Sequence, residues 1–302
     1  MRNPFIETTY AVAYRSLQPG EKLLFEAESP SAFCLCKNSW RYWYADPIVF
    51  SYEGKDWLFA EQMDRLTHRG AIAVAPLSGG QVGEFKAVLK EPYHLSYPMV
   101  FEKGGHIYMI PESTAGRCVK LYECKHFPDS WEYKTTLFEN VLYADSTVVF
   151  CNEHWYFVTG EMDPQMGART KTLVFLADNM EDGVLTPLES NAQNSYSFEQ
   201  RGAGNFFEHA GKLYRPIQCG SETEYGKLLR FTLAQPDNLA AEREVARVTT
   251  SQIKLNVSKS VNGIHTYAKT GQLEIIDVKL EGYTNLPVFC CKVLRKVRGR
   301  IK

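Results

Sequence analysis

Three carboxylates in this sequence lie at the ends of similar apolar segments and could together perform acid–base chemistry. Asp46 and Asp145 begin the runs DPIVF and DSTVVF, and Glu112 ends the run IYMIPE. Clustered carboxyl groups can supply a general base and a general acid, because clustering raises the pKa of at least one of them. Separations of roughly 6.5 to 9.5 Å suit inversion at an anomeric carbon, and roughly 5 to 5.5 Å suit retention. Asp46, Glu112 and Asp145 are therefore the predicted catalytic residues.

The two aspartates also have a structural interpretation, which the sequence leaves open. Aspartate side chains often accept hydrogen bonds from backbone N–H groups in turns. Asp46 and Asp145 could therefore hold the entries of their segments in place. In that case their substitution would reduce stability rather than turnover.

Polar and aromatic side chains near the same segment ends are predicted to contact a ligand. Trp43 belongs to an aromatic cluster just before Asp46, which could stack on a sugar ring or pack between neighbouring segments. Arg215 lies in an apolar run, where a guanidinium needs a partner such as Glu112, Asp145 or an anionic ligand. The predicted substrate-binding residues are Trp43, Glu61, His94, Tyr97, Asn205, Arg215, Gln218 and His265.

The sequence predicts no metal site and no cofactor. His94, His265 and a carboxylate could supply metal ligands, but no short-range ligand motif connects them. The eight cysteines form neither a disulfide framework nor a zinc-binding spacing, which favours an intracellular chain. The N-terminus lacks the long apolar core of a secretory signal, and no apolar stretch approaches the length of a bilayer span. We therefore expect a cytoplasmic location.

The candidate residues recur because the sequence repeats itself. Five segments share an apolar strand, a turn and a second apolar strand, and further strand-like runs follow most of them. Aligned on the turns, the equivalents of Asp46 are Tyr97, Asp145, Ala203 and Gly263. Four short strands in each repeat of roughly 50 residues indicate a propeller blade. The predicted fold is all-β, a five-bladed β-propeller, with a β-sandwich as the alternative.

The two ends of the chain are predicted to differ from the repeats. The strand-like run at residues 8–17 is expected to complete the fifth blade, which closes the ring, and CLCKNSW from Cys34 could form another strand. The predicted divisions are 1–39 for the closing strands, 40–285 for the propeller and 286–302 for a basic tail.

Charge indicates which partners the chain could bind. It has 35 acidic and 34 basic residues, so no global field favours nucleic acid, and none is expected as a partner. The tail KVLRKVRGRIK contains basic residues and no acidic one. It is either a solvated end or a basic amphipathic segment in peripheral contact with an anionic membrane.

Several phrases in order resemble a known family. ADPIVF with LFAE, HLSYPMVFE with IYMIPES, ADSTVVF, GKLYRPIQ and GIHT are similar to the propeller domain at the N-terminus of plant glucosamine inositolphosphorylceramide transferases and to bacterial proteins with formyltransferase-like domains. The resemblance covers roughly residues 40–270. We expect no separate glycosyltransferase domain of the kind found in the plant proteins, so the resemblance does not imply their transferase activity.

A more distant resemblance is to five-bladed glycoside hydrolases that act on arabinosides, xylosides and fructosides. It implies that Asp46 is the base of the first blade. The second blade offers Glu112 at the exit rather than an aspartate at the entry. The third offers Asp145 where a glutamate acid is expected, with Glu161 nearby.

Two functional hypotheses follow from these residues. The first is a glycoside-hydrolase-like propeller that acts on a glycan or sugar conjugate through the carboxylates of its central funnel. The second is a non-catalytic glycan-binding or scaffold module, serving polysaccharide or glycolipid assembly together with a partner protein.

Overall fold

The computed structural model describes residues 5–222, 224–238 and 241–299, and within them five antiparallel sheets form a five-bladed β-propeller. The N-terminal strands are β1 (Ile6–Ser16) and β2 (Cys34–Leu35). Blade one contains β3 (Tyr42–Tyr52), β4 (Lys55–Asp64), β5 (Arg69–Ser78), β6 (Gln81–Val82) and β7 (Lys86–Leu89). Blade two contains β8 (Ser96–Lys103), β9 (His106–Glu112), β10 (Cys118–His126) and β11 (Ser130–Glu139). The predicted propeller is confirmed, and the sandwich alternative is wrong.

The remaining strands complete the ring. Blade three contains β12 (Tyr143–Cys151), β13 (His154–Met162), β14 (Thr170–Asn179) and β15 (Val184–Pro187). Blade four contains β16 (Arg201–Gly202), β17 (Phe207–His209), β18 (Lys212–Ser221), β19 (Glu224–Leu233) and β20 (Arg243–Thr249). Blade five begins with β21 (Gly263–Lys269) and β22 (Leu273–Tyr283), and helix α1 (Leu286–Gly299) follows it. Short 3₁₀ turns lie at Thr114–Gly116, Met180–Asp182, Glu189–Gln193 and Thr250–Gln252.

The N-terminal strand closes the ring, as predicted. Strand β1 pairs with β22 along its whole length, from Ile6 opposite Tyr283 to Ser16 opposite Leu273. Strand β2 then pairs with β1, so blade five has the order β2-β1-β22-β21. The chain divisions at 39/40 and 285/286 stay predictions. No described helix is long and apolar enough to cross a bilayer, and the expected cytoplasmic location also stays a prediction.

The apolar core lies between neighbouring blades. The strands carry runs of consecutive buried residues, as β5 and β8 do, and apolar residues of facing blades pack together. Phe59 of blade one lies in the same cluster as Met109 of blade two, and Phe101 of blade two packs with Phe157 of blade three. This packing holds the inner strands around the axis, where their first residues can meet.

The inner strands of four blades share a backbone irregularity at the funnel. Strand pairing is interrupted by two residues after Ala45, Ser96, Ala144 and Ile264. In blades one to three the first of the two is Asp46, Tyr97 or Asp145, and each has a left-handed backbone with φ of 51°, 43° and 50°. In blade five that place belongs to His265. The sequence alignment, which put Gly263 there, is therefore wrong by two residues.

A buried ion pair fixes the closing strand at the other end of blade five. Arg15 of β1 is 2% exposed and Glu274 of β22 is fully buried. Nε of Arg15 donates to Oε2 of Glu274 over 2.8 Å, and Oε1 of Glu274 accepts from Tyr267 and from the Leu24 backbone at 2.6 and 2.7 Å. The pair therefore joins β1 to β22 and, through Tyr267, to β21.

We expect Arg15→Met to reduce the free energy of unfolding by about 3–5 kcal/mol, because it leaves the Glu274 carboxylate buried without its cation. Urea denaturation would measure the loss. The matched control is Arg41→Met, which removes an ion pair to Asp64 in which the Arg41 side chain is 39% exposed, and it should cost less than about 1 kcal/mol. Equal losses in the two variants would contradict the assigned role of Arg15.

Candidate functional site

Carboxylates at the funnel tie one blade to the next through the backbone. Oδ2 of Asp277 in blade five accepts the N–H of Asp46 at 2.9 Å, and Oδ2 of Asp46 accepts the N–H of Tyr97 at 3.1 Å. Oε2 of Glu112 in blade two accepts the N–H of Asp145 in blade three at 3.2 Å. Each donor residue has the left-handed backbone described above. We call these three hydrogen bonds the carboxylate clasp.

Asp145 continues these contacts into blade four through two side chains. Arg201 forms an ion pair with Asp145, and its Nη2 lies 3.2 Å from Oε2 of Glu112. Nε2 of Gln218 donates to Oδ2 of Asp145 at 2.8 Å and to the carbonyl of Gly202 at 2.9 Å. Predicted site residues Glu112, Asp145 and Gln218 therefore lie together, joined by a cation that the sequence did not single out.

His265 lies between two aspartates of the same funnel. Its Nε2 is 3.4 Å from Oδ1 of Asp46, and its Nδ1 is 2.5 Å from Oδ2 of Asp277, a close ion-pair contact without hydrogen-bond alignment. The ring stacks on Tyr10 at 4.4 Å between centroids. Burial lowers the pKa of His265, but the neighbouring carboxylates, Asp277 first, raise it to about 9. His265 is therefore an imidazolium at neutral pH.

The buried carboxyl groups have pKa values shifted toward neutrality. Burial raises the pKa of Asp46 to about 6, although the His265 imidazolium opposes the shift. Burial also raises the pKa of Asp145 to about 7 against the charge of Arg201. Among the described residues no cation pairs with Glu61. Burial and the nearby carboxylates, Asp46 first, raise its pKa well above the ordinary range.

His94 contacts Glu61 from the neighbouring blade. Nδ1 of His94 accepts the backbone N–H of Gly70 at 2.9 Å, which places the proton of the neutral ring on Nε2. Nε2 lies 3.3 Å from Oε1 of Glu61. Burial lowers the pKa of His94, so the ring is neutral at pH 7. The structure therefore brings these two predicted residues into contact.

Tyr97 fills the centre of the funnel. Its side chain is fully buried, and its hydroxyl contacts both the N–H and the carbonyl of Gly204 in blade four, at 2.7 and 3.1 Å. Thr147 of blade three lies 3.1 Å from the same hydroxyl. Beside it, Asn205 donates to the carbonyl of Val49 at 3.3 Å. The polar groups of Tyr97 thus connect blades two, three and four, and a substrate contact for Tyr97 or Asn205 stays a prediction.

Two predicted residues lie outside this cluster. Nη1 of Arg215 lies 3.2 Å from Oε2 of Glu242, and Nη2 donates to the carbonyl of Gln200 at 3.3 Å. The guanidinium that pairs with Glu112 and Asp145 is that of Arg201. Trp43 lies 5.6 Å from Tyr10 between ring centroids and lines a separate cavity of about 420 Å³.

Sequence reasoning missed three residues of the site. Arg201 and Asp277 supply the charges described above, and Tyr225 covers the guanidinium of Arg201, whose Cζ lies 4.9 Å from the ring centroid. The Tyr225 side chain is 41% exposed, and burial raises the pKa of its hydroxyl to about 12. A signal existed for Asp277, because the run EIID ends on a carboxylate as LFAE and MIPE do. Arg201 and Tyr225 follow no such pattern.

Among the described residues, one group of side chains has donor atoms close enough to bind a metal ion. The ligand atoms of Asp46, His265 and Asp277 lie within 4.8 Å of one another, and all three residues are buried. His265 would have to lose its proton before it could bind a metal, and its raised pKa opposes that step at neutral pH. At neutral pH the arrangement suits the internal ion pairs better than a metal.

The ring and its funnel define the class of protein. In fold this is a five-bladed propeller of the kind found in glycoside hydrolases. It is similar to the α-L-arabinofuranosidase of Lactobacillus brevis, with a TM-score of 0.53 and 12% identity over 78% of this chain and 82% of that one. It is also similar to a family 117 glycoside hydrolase of Zobellia galactanivorans, with a TM-score of 0.52 and 9% identity over 91% and 94%.

Sequence comparison places the chain in a particular family. Residues 32–283 match the family described as "Glucosamine inositolphosphorylceramide transferase 1, N-terminal", and the chain belongs to it. It is 30% identical to glucosamine inositolphosphorylceramide transferase 1 of Arabidopsis thaliana over 229 residues, 74% of this chain and 29% of that protein. The protein of that name from Oryza sativa subsp. indica is 30% identical over 191 residues, 62% of this chain and 25% of that protein. Both resemblances predicted from the sequence are confirmed.

We expect His265 to make the stability of the protein fall between about pH 6.5 and 9. Its folded pKa of about 9 lies above the ordinary 6.5, so its contribution is complete below pH 6.5 and is lost as the pH rises through 9. The contribution is about 3 kcal/mol. Urea denaturation across this range should show a shallower decline in His265→Gln.

His94→Gln is the matched control for this titration. The pKa of His94 is lowered by burial, so this imidazole stays neutral throughout the range and its loss should leave the slope unchanged. A wild-type slope in His265→Gln would show that His265 carries no proton at neutral pH.

Proposed function

We propose that the chain recognises a carbohydrate at the open end of the funnel and is a non-catalytic glycan-binding module. The proposal rests on one observation, which is the set of side chains exposed to solvent at this end of the funnel. Tyr225 is 41% exposed, and the side chains of His94, Arg201 and Glu112 are 31%, 15% and 12% exposed. An aromatic face with charged hydrogen-bonding groups around it suits a sugar ring, which has apolar faces and a rim of hydroxyl groups.

The predicted catalytic aspartates are less suited to acid–base work. A general acid must direct its proton at the leaving oxygen. Both oxygens of Asp145 face donors, since Arg201 contacts each of them and Gln218 donates to Oδ2. Asp46 accepts from Tyr97 at Oδ2 and from Thr266 at Oδ1. These contacts support a structural role for both aspartates, the alternative that the sequence left open.

A second candidate function is hydrolysis, and Glu61 favours it. Burial and the nearby carboxylates raise the pKa of Glu61 well above the ordinary range, which favours the protonated form, and its Oε1 accepts no aligned hydrogen bond from the described residues. Glu61 would then donate a proton to the leaving oxygen, and Asp46 would activate water as the base. In this case Glu61, rather than Asp145, is the acid.

The ligands to test follow from the names of the relatives. We would screen glucosamine, N-acetylglucosamine, myo-inositol 1-phosphate and methyl arabinofuranoside by thermal shift, because a bound ligand raises apparent stability. Calorimetry would then give the dissociation constant of each hit. A panel of nitrophenyl glycosides would test turnover in parallel.

We expect Tyr225→Ala to weaken sugar binding at least about tenfold, or about 1.4 kcal/mol, because the aromatic face is lost. Tyr133→Ala is the matched control, since Tyr133 is 57% exposed on the outer strand of blade two. Binding that both variants keep would place the ligand away from the funnel mouth.

Turnover separates the two candidate functions. Glycan binding alone predicts no hydrolysis of any glycoside by the wild-type protein. Hydrolysis predicts turnover that Glu61→Gln abolishes while binding is kept. A chain that neither binds nor cleaves any of these sugars would contradict both, and would favour a scaffold whose ligand is a protein.

A further inference from the structure

Helix α1 is held against the propeller by one of its faces. Oδ1 of Asn285 accepts the N–H of Val288 at 3.1 Å, which caps the start of the helix. Val288 is fully buried, and the ring of Phe289 stacks on Phe5 at 5.1 Å between centroids. Nζ of Lys292 lies 3.3 Å from Oε2 of Glu7 on the closing strand. The orientation of the helix on the propeller is therefore defined by both packing and charge.

The opposite face of α1 exposes a run of apolar side chains. Leu286, Cys290, Val293 and Leu294 follow the spacing i, i+4, i+7 and i+8, so they share one side of the helix. Leu286 is 73% exposed, Leu294 60% and Val293 44%, and Cys290 is also exposed. Tyr283, just before the helix, is 88% exposed. Contiguous exposed apolar surface of this kind marks an interaction site.

The charge of the same segment indicates the partner. Residues 292–302 include Lys292, Arg295, Lys296, Arg298, Arg300 and Lys302, and no acidic residue lies between Thr284 and the last residue of the sequence. A basic segment with an adjoining apolar face is complementary to anionic lipid headgroups above an acyl layer. A groove on another protein could bury the apolar face. It would not explain why every charged residue of the segment is basic.

We propose that Tyr283, Leu286, Cys290, Val293 and Leu294 insert into the surface of a bilayer that contains anionic lipids. The lysines and arginines that follow bind the headgroups. The helix lies in the interface plane and does not span the membrane.

Helix α1 lies close to the funnel, so contact between α1 and a membrane would also bring the funnel close to that membrane. Lys292 lines a cavity with Trp43, Thr8 and Glu281. Thr8 and Glu281 also line a second cavity, of about 640 Å³, that includes Tyr225. The helix therefore flanks the clefts that lead to the mouth of the funnel. Docking through α1 places this mouth beside the membrane surface.

Vesicle flotation of the full chain tests the proposal. The probes are vesicles of phosphatidylcholine alone and vesicles with about one third phosphatidylglycerol. We expect the protein to float with the anionic vesicles only and to be released by salt, because screening weakens the attraction of the cations. The double variant Leu286→Asp/Leu294→Asp should reduce the bound fraction at least fivefold, and Lys296→Glu/Arg298→Glu should do the same.

The controls separate membrane contact from damage to the fold. Val184→Asp changes an apolar residue that is 53% exposed on blade three and should leave flotation unchanged. Thermal unfolding of each variant checks that the propeller is intact. Equal binding to neutral and anionic vesicles, or wild-type binding by the leucine variant, would overturn the proposal. A vesicle-independent dimer that the leucine variant abolishes would also overturn it, and would assign the face to a second copy of the chain.

Discussion

The carboxylate clasp is the interaction on which the centre of this propeller depends. Asp46, Tyr97 and Asp145 adopt left-handed backbones that cost on the order of 1–3 kcal/mol each, so the surrounding structure must hold them there. A carboxylate of the preceding blade does so by accepting the N–H of each one. The blades are therefore joined at the axis by charge-assisted hydrogen bonds, as well as by the apolar contacts farther out.

The carboxylate clasp concentrates negative charge in the buried centre of the propeller, and the cations His265 and Arg201 compensate for that charge. His265 neutralises the side of blades five and one, and Arg201 neutralises the side of blades two and three. No cation of the described residues pairs with Glu61, so burial favours its protonated form. Structural necessity alone thus produces pKa values that resemble those of an active site, so such values by themselves cannot identify a catalyst.

The repeat made the fold predictable, but only part of the site could be predicted from it. The number of strands and the closure of the ring could be predicted, because they depend on local apolar patterns and turns that are visible in the sequence. Asp46, Glu112 and Asp145 were found together because each stands at a segment end. Arg215 was chosen as the central cation because it lies in an apolar run, yet Arg201 has that role. Side-chain partners across blades depend on which way each strand faces, and a hairpin turn in blade five that is two residues longer than the turn in blade one shifted the alignment at His265.

Backbone symmetry and side-chain asymmetry have one physical origin here. In blades one to three the clasp uses the N–H of the bulged residue, which any amino acid except proline supplies. The side chains of Tyr97 and Asp145 accept none of the three clasp hydrogen bonds and can therefore differ, whereas the Asp46 side chain also accepts the N–H of Tyr97. Asp46 joins an ion pair, Tyr97 crosses toward blade four and Asp145 binds Arg201. A ring of similar blades can in this way enclose one asymmetric site, because the fold constrains the main chain at the axis and leaves the chemistry of the side chains open.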